Sequence, residues 1–368
     1  GISFVAVRNW LQNTFTYCAV NTSVAFRTRM GAKTLQQTDQ WNTDFIPWYA
    51  ELLNQWKDPF IWKHYADYAY QVKEAKQWLQ EDYTGKHAKA CLESMDSFNF
   101  EAPVDRISNF NKVENVVKSA FECMNDVVQW ASKLIKPRMI SSYDPQHVWR
   151  FGPHVSAIKK QLRKHWNGIN SNIIMCVGYN NQELGSVVER AVRHRLGVNL
   201  NDVRYSLEDD FESCDTSMRG AAIGVERTFY DWVGMPKHVG DALLSGTSMR
   251  CTMTHNEHFF KATTCKQRGS GAVNTSAGNC IVVGLALKQA MEHFGYGEND
   301  CVILVCGDDG LIFFNRKPPL RFAALMSQYL AGYGFSAQTR VHDDARQGVF
   351  LSSNFVECRV GDRTPTYW

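Results

Sequence analysis

Nowhere in the 368 residues do 18 apolar residues run together, which excludes an ordinary membrane-spanning helix from the sequence pattern. The longest apolar stretches, Ile281 to Leu287 and Cys301 to Cys306, have the length of core elements. None of the eleven cysteines forms a C-x-x-C pair, so a zinc ribbon and a disulfide framework are both disfavoured, and scattered buried thiols in a reducing compartment are expected. Gly1 to Leu11 is broken by Arg8 and Asn9 and has no secretory-leader pattern. A start at Gly1 rather than Met fits a processed product or an excised fragment, and this portion is expected to be soluble. Neither sign of charge prevails: 40 Lys+Arg against 37 Asp+Glu leave a net +3, too little to announce a polyanionic partner. Internal repeats and low-complexity segments are absent, and 44% hydrophobic residues are enough for a large core.

Aromatic residues, by contrast, are plentiful early in the chain. Six of the eleven Trp lie before residue 80, and Trp48, Tyr49, Leu52, Leu53 and Trp56 recur at helical spacing, continued by Tyr65, Tyr68, Val72 and Leu79. Such stripes are packing surface more often than base-stacking platforms, so no chemistry is assigned to them. Charge is unevenly distributed. Between Ala131 and Tyr205 the local net is +8, leaving −5 for the remaining residues, and a segment so basic suits a phosphate-rich partner.

From residue 206 onward the pattern alternates short strands with helices. Cys301 to Cys306 and Leu311 to Phe314 read as a hairpin around Gly307-Asp308-Asp309-Gly310, in which Asp309-Gly310 has the composition of a tight turn. A helix introduced by Pro318-Pro319 presents Phe322, Leu325, Met326, Tyr329 and Leu330 and ends at Gly332 and Gly334; Val349 to Val356 reads as a further strand. Glu208-Asp209-Asp210-Phe211-Glu212-Ser213-Cys214-Asp215 places five acids in eight residues, which costs stability unless a cation or solvent neutralises them. Mg²⁺ takes one or two protein carboxylates and completes its shell with phosphates and water, so Asp210 and Asp308 are a candidate pair. A loop rich in glycine and hydroxyls, Arg268 to Asn279, leads into the apolar helical run Cys280 to Met291 and lets backbone approach a sugar or phosphate closely. Taken singly, an exposed acidic turn, a capped helix and a tight hairpin explain these three features.

Together they resemble something more specific. The D-x4-D of Asp210 and Asp215, the S-G-x3-T-x3-N of Ser270, Gly271, Thr275 and Asn279, and Gly307-Asp308-Asp309 follow in that order, with 54 and 28 residues between them. They resemble palm motifs A, B and C of the viral RNA-dependent RNA polymerases of positive-strand RNA viruses, tombusvirus-like first and nodavirus-like second. Lys136-Pro137-Arg138 resembles the basic fingers motif F, and Phe110, Lys112 and Glu114 the segment before it. The Phe322 to Leu330 helix with Ser336 to Val341 resembles motif D, and Phe350 to Phe355 motif E.

The resemblance implies an α+β right-hand polymerase with helical fingers, an antiparallel-sheet palm and a thumb largely absent. Its divisions are 1–109 (N-terminal helical or fingers extension), 110–205 (fingers), 206–356 (palm) and 357–368 (start of a thumb). It implies template-directed RNA synthesis from NTPs, with two Mg²⁺ (or Mn²⁺) ions held by Asp210, Asp308 and, less directly, Asp309. Lys136 and Arg138 would meet the triphosphate; Asp215 and Asn279, with Ser270, Gly271 and Thr275, would select the ribose. Lys159, Lys160, Arg163 and Lys164 are candidates for RNA phosphates. Motif D has no lysine to protonate pyrophosphate and offers Arg340 or His342 instead; the histidine, or water, is expected to serve. The implied partners are template and nascent RNA and NTPs. Replicase and membrane association would run through regions outside this chain, at replication sites in the host cytoplasm. A reverse transcriptase and an inactive RNA-binding palm are the alternatives.

Overall fold

The structure is a computed structural model that describes residues 35–56, 75–81, 86–96, 106–111, 139–245, 250–255, 258–263, 267–355, 357–358 and 366–367. The expectations for Tyr65, Tyr68, Val72, Lys112, Glu114, Lys136 and Arg138 lie outside those residues.

The apolar run that the sequence places after the glycine-rich loop forms the central helix. A helix apolar on every side must be enclosed on every side, and residues 277–291 of this one are all buried. In chain order the helices are α1 (Ile46–Gln55), α2 (Ala75–Glu81), α3 (Lys86–Asp96), α4 (Pro145–His165), α5 (Asn181–Leu196), α6 (Cys214–Ser217), α7 (Ala221–Trp232), α8 (Lys237–Ser245), the central α9 (Thr275–His293) and α10 (Phe322–Gly332). The strands are β1 (Arg106–Asn111), β2 (Met139–Tyr143), β3 (Ile173–Met175), β4 (Tyr205–Phe211), β5 (Arg250–His255), β6 (His258–Thr263), β7 (Cys301–Cys306), β8 (Asp309–Phe314), β9 (Ala337–His342), β10 (Glu357–Cys358) and β11 (Thr366–Tyr367).

One five-stranded sheet runs β3-β7-β8-β4-β9. Four of its strands are antiparallel neighbours, but β3 pairs with β7 in parallel, so the expected antiparallel sheet is a mixed one. The reason is burial. Ile173 and Met175 pack with the core around α9, Ile174 with the core around α5, and a strand covered on both faces suits parallel pairing. A second sheet, β2-β1-β5-β6, joins strands far apart in the chain: β1 pairs with β2 antiparallel and with β5 in parallel. The two sheets interleave along the sequence, since β3 enters the first and β5–β6 the second.

Three local expectations change. The hairpin turns on Gly307 and Asp308, with Gly307 at φ +68°, while Asp309 and Gly310 already belong to β8. A glycine at the first of two central positions suits a tight primed turn, and Gly310 is needed elsewhere, because a Cβ there would lie 2.8 Å from Leu287 of α9. Val349 to Val356 is no extended strand over its described part. Leu351 and Ser352 take φ +52° and +62°, folding Phe350 back onto Ser353 through a reciprocal backbone pair. The helix after Pro318-Pro319 begins at Phe322, with Arg321 at φ +61° ahead of it, and buries Phe322, Met326 and Leu330 while Leu325 is exposed. Early aromatic residues do pack: Trp41, Phe45, Tyr49, Leu52, Leu53 and Trp56 lie in the same core as α9. The cysteines whose side chains are described are all free, and all except Cys306 are buried. Among the described residues no helix is long and apolar enough to cross a membrane.

Candidate active site

β4 alternates as a strand half-facing a core should: Leu207, Asp209 and Phe211 are buried and Asp210 is exposed. Register places Asp210 directly opposite Asp309 of β8, with the Asp308 turn beyond. The tip is tied down twice, by the Phe211 N–H to the Asp308 carbonyl (3.4 Å) and by the Gly307 N–H to Cys280 Sγ of α9 (3.1 Å).

Most of the acidic run is neutralised by protein donors rather than left for a cation. Glu208 sits 3.1 Å from His342 Nε2 and also accepts from the Val349 N–H. Asp209 accepts from the Thr339 hydroxyl (2.5 Å), and Glu212 accepts from Ser336 and Gln338 (both 3.3 Å). Asp215 accepts from the Asn279 amide at 2.7 Å. The carboxylates of Asp210 and Asp308 have no hydrogen-bond donor among the described residues. Burial, then the charges of Asp308, Glu212 and Glu208, push the Asp210 carboxyl above its ordinary range. A donor-free carboxylate whose charge is disfavoured, with a second donor-free carboxylate beside it, fits a hard divalent cation. Among the described residues no three His, Cys, Asp or Glu side chains are gathered as a metal site.

The glycine-rich loop is held from both sides. Ser270 Oγ donates to the Met139 carbonyl and accepts from the Ser141 N–H, each at 3.2 Å, which pins the loop to β2. A Cβ on Gly271 would lie 1.9 Å from the Ser141 carbonyl oxygen, so only glycine permits that approach. The Thr275 hydroxyl donates to the Gly269 carbonyl at 2.7 Å. Behind the loop, Arg268 forms a buried ion pair with Glu226 of α7, which also accepts from Asn274 and Tyr230. Sequence reading missed this pair. The available signal was a lone acid among Ala222, Val225 and Phe229 on the apolar face of α7.

These elements enclose a cavity of about 1070 Å³. Its lining includes Asp215, Asn279, Asp308, Ser270, Gly271 and Thr275, together with Lys159, Lys160 and Arg163 of α4 and an apolar wall of Trp78, Met139, Val148 and Val155. The structure thus divides the basic quartet, because Lys164 is not part of the lining. Lys136 and Arg138 fall outside the described residues, directly before the strand β2 that lines the cavity.

Residues 81–359 match the family model described as viral RNA-dependent RNA polymerase. The chain belongs to that family. It is also similar, at 22% identity over 229 residues, to the RNA-directed RNA polymerase of Panicum mosaic virus (strain United States/Kansas 109S). That similarity covers 61% of this chain and 21% of the relative, so the chain spans about a fifth of the length of the polymerase it matches.

In this chain His342 stands opposite Ser206, four positions along β9 from Gln338, which faces Asp210. Its ring nitrogen is engaged by Glu208, and Arg340 stands opposite Glu208 on the exposed side.

Proposed function

We propose that this chain performs template-directed RNA synthesis from NTPs at the cavity bounded by α4, α6, α9 and the β7–β8 hairpin. The observation that carries the reading is one cavity lined by the Asp308 carboxylate, the polar Asp215–Asn279 pair and Lys159, Lys160 and Arg163 of α4, with Asp210 set beside it on β4, opposite Asp309. Asp210 and Asp308 are the residues that would hold divalent ions, with Asp309 beside them. Two bound Mg²⁺ or Mn²⁺ ions would supply an acidified primer 3′-hydroxyl and neutralisation of the triphosphate.

The protein's own contributions follow from its donors and acceptors. Asp215 and Asn279 present an acceptor and a donor to a ribose 2′-hydroxyl, which is both, and the buried Asn279 Oδ1 has no partner of its own. A deoxynucleotide leaves those groups unpaired and is penalised. Ser270, Gly271 and Thr275 shape the loop beside the sugar, since their hydroxyls and backbone are committed to β2 and Gly269. Lys136 and Arg138 are assigned to the triphosphate, and Lys160, Arg163 and Lys164, with Lys159, to backbone phosphates. In this reading residues 1–109 are an N-terminal extension, 110–205 fingers, 206–356 palm and 357–368 the start of a thumb, with β3 lent to the palm sheet and β5–β6 returned to the fingers sheet. RNA template, nascent RNA and NTPs are the partners; replicase and membrane contacts at cytoplasmic replication sites belong to the larger protein.

The test is incorporation on poly(A) with oligo(U), comparing UTP with dTTP in Mg²⁺ or Mn²⁺. UTP is expected to be used at least about 100-fold better, a typical return for a hydroxyl-reading site, and Asp308→Ala should abolish incorporation. Preferential use of dTTP would make the chain a reverse transcriptase. Undiminished incorporation by Asp308→Ala would remove the proposed centre.

A further inference from the structure

Nucleotidyl transfer leaves negative charge on the oxygen that departs with pyrophosphate, and a positioned acid can relieve it. β9 is poorly equipped to supply that acid. Opposite Asp210 it presents Gln338, which donates to Glu212. Thr339 is committed to Asp209, and Arg340 does not release a proton near neutrality. His342 lies four residues further on, roughly 13 Å along the strand, with its ring engaged by Glu208.

The opposite wall has a better candidate. Lys159 of α4 is half-buried and lines the same cavity as Asp308, Asp215 and Asn279. The neighbouring Arg163 lays its guanidinium over the Tyr179 ring at 4.1 Å. Lys159 has no hydrogen bond or ion pair among the described residues, so its ammonium is uncommitted.

We infer that Lys159 is the general acid for the pyrophosphate leaving group. This rests on the polymerase reading above. As the primer 3′-hydroxyl gives up its proton to water and its oxygen bonds to the α-phosphorus, the bond from that phosphorus to the bridging oxygen breaks and its electron pair stays on the oxygen. Lys159 Nζ passes one proton to that oxygen and becomes a neutral amine, which water then reprotonates. The surroundings favour the transfer: burial lowers the pKa of Lys159, with Cys280 acting in the opposite sense. The titratable and charged groups around the shared cavity are Tyr143 on β2, Lys160 and Arg163 on α4, Cys214 and Asp215 on α6, and Cys306 and Asp308 at the hairpin, besides Cys280 on α9.

The experiment is single-turnover UMP incorporation by the full chain on primed poly(A), across pH and in H₂O and D₂O, for the unaltered protein and Lys159→Arg. Arginine keeps the charge and the phosphate contact but is a poor acid. The UTP KM should therefore change little, while the incorporation rate falls about 100-fold, the low end for general acid catalysis. The unaltered protein should lose rate at alkaline pH earlier than an ordinary lysine would dictate, and show a solvent isotope effect. In Lys159→Arg both should vanish. A wild-type rate and isotope effect in Lys159→Arg would confine the lysine to phosphate binding and overturn the inference. Should that variant fail to fold, the unaltered protein still decides: a rate without isotope effect or alkaline limb overturns it equally. Absence of any incorporation by the unaltered chain would instead sink the polymerase reading, and this inference with it.

Discussion

Asp209 and Asp210 are neighbours in the chain and opposites in environment. Strand alternation turns Asp209 into the core, 2% exposed, where burial pushes its carboxyl up to about 7, with the Thr339 hydroxyl acting the other way and Glu208 adding to the rise. Asp210 on the other face stays exposed beside Asp309 and Asp308. A similar contrast governs the histidines. His147 lies between Tyr143 (4.7 Å) and Phe151 (5.0 Å), is fully buried, and neither ring nitrogen has a hydrogen-bond partner. Burial, and then the charge of Arg150, lower its pKa to about 4. The folded state therefore prefers the neutral ring, while the unfolded chain takes up a proton near the ordinary value of about 6.5. Stability contributed by the neutral ring is intact above that value and is lost as pH falls towards 4, by up to about 3 kcal/mol. His147→Phe should flatten that acid limb in urea titrations between pH 7 and 4. An unchanged slope would mean that the ring is not held neutral.

Elements are positioned by a few contacts that propensity does not reveal. The loop before α9 depends on the Arg268–Glu226 pair, whose side chains are 3% and 0% exposed. Gly278 makes room for it, because a Cβ there would lie 2.3 Å from both Arg268 Nη1 and Glu226 Oε1. Removing one member leaves a buried charge alone, so Glu226→Leu should cost about 3–5 kcal/mol. Adding Arg268→Met should recover much of that loss, because replacing both charges by apolar groups avoids the unpaired ion. Urea unfolding of the two single variants and the double variant gives the coupling directly. Additive losses would show that the pair is not the support of the loop.

At the scale of the whole molecule, residues 35–56 bind the helices behind the main sheet to one another. The Gln37 amide donates to the Arg219 carbonyl, Thr38 bonds to Gly332, and Gln40 reaches the Tyr329 carbonyl. The Trp41 indole donates to the Tyr333 carbonyl at 3.0 Å, and its ring meets Phe45, Tyr333 and Phe335. Phe335 in turn packs edge-on against Phe211, next to Asp210. Trp41→Ala should destabilise the chain by about 3–5 kcal/mol, the range for a large aromatic removed from a core. The midpoint of urea unfolding measures it, and a loss under about 1 kcal/mol would show that this segment is an appendage rather than part of the core.

Much of this molecule is legible in its sequence. The order of Asp210, Asp215, Ser270, Asn279 and Asp308 along the chain resembles the palm motifs of viral RNA-dependent RNA polymerases, the family whose model the chain matches. The central helix showed itself through an apolar run too uniform for a surface element, and the Trp41–Trp56 stripe through its helical period. What the sequence alone determined was therefore residue chemistry and local period, both properties of neighbouring positions. Tertiary structure decided which acids remain without donors, since Asp209 finds Thr339 130 positions away and Ser270 finds Met139 131 positions away. It also decided that the turn is Gly307-Asp308 and not Asp309-Gly310, because Gly310 must let β8 lie against Leu287. Hydrogen-bond partners and steric room are set by whatever the fold brings alongside, and no local pattern encodes them.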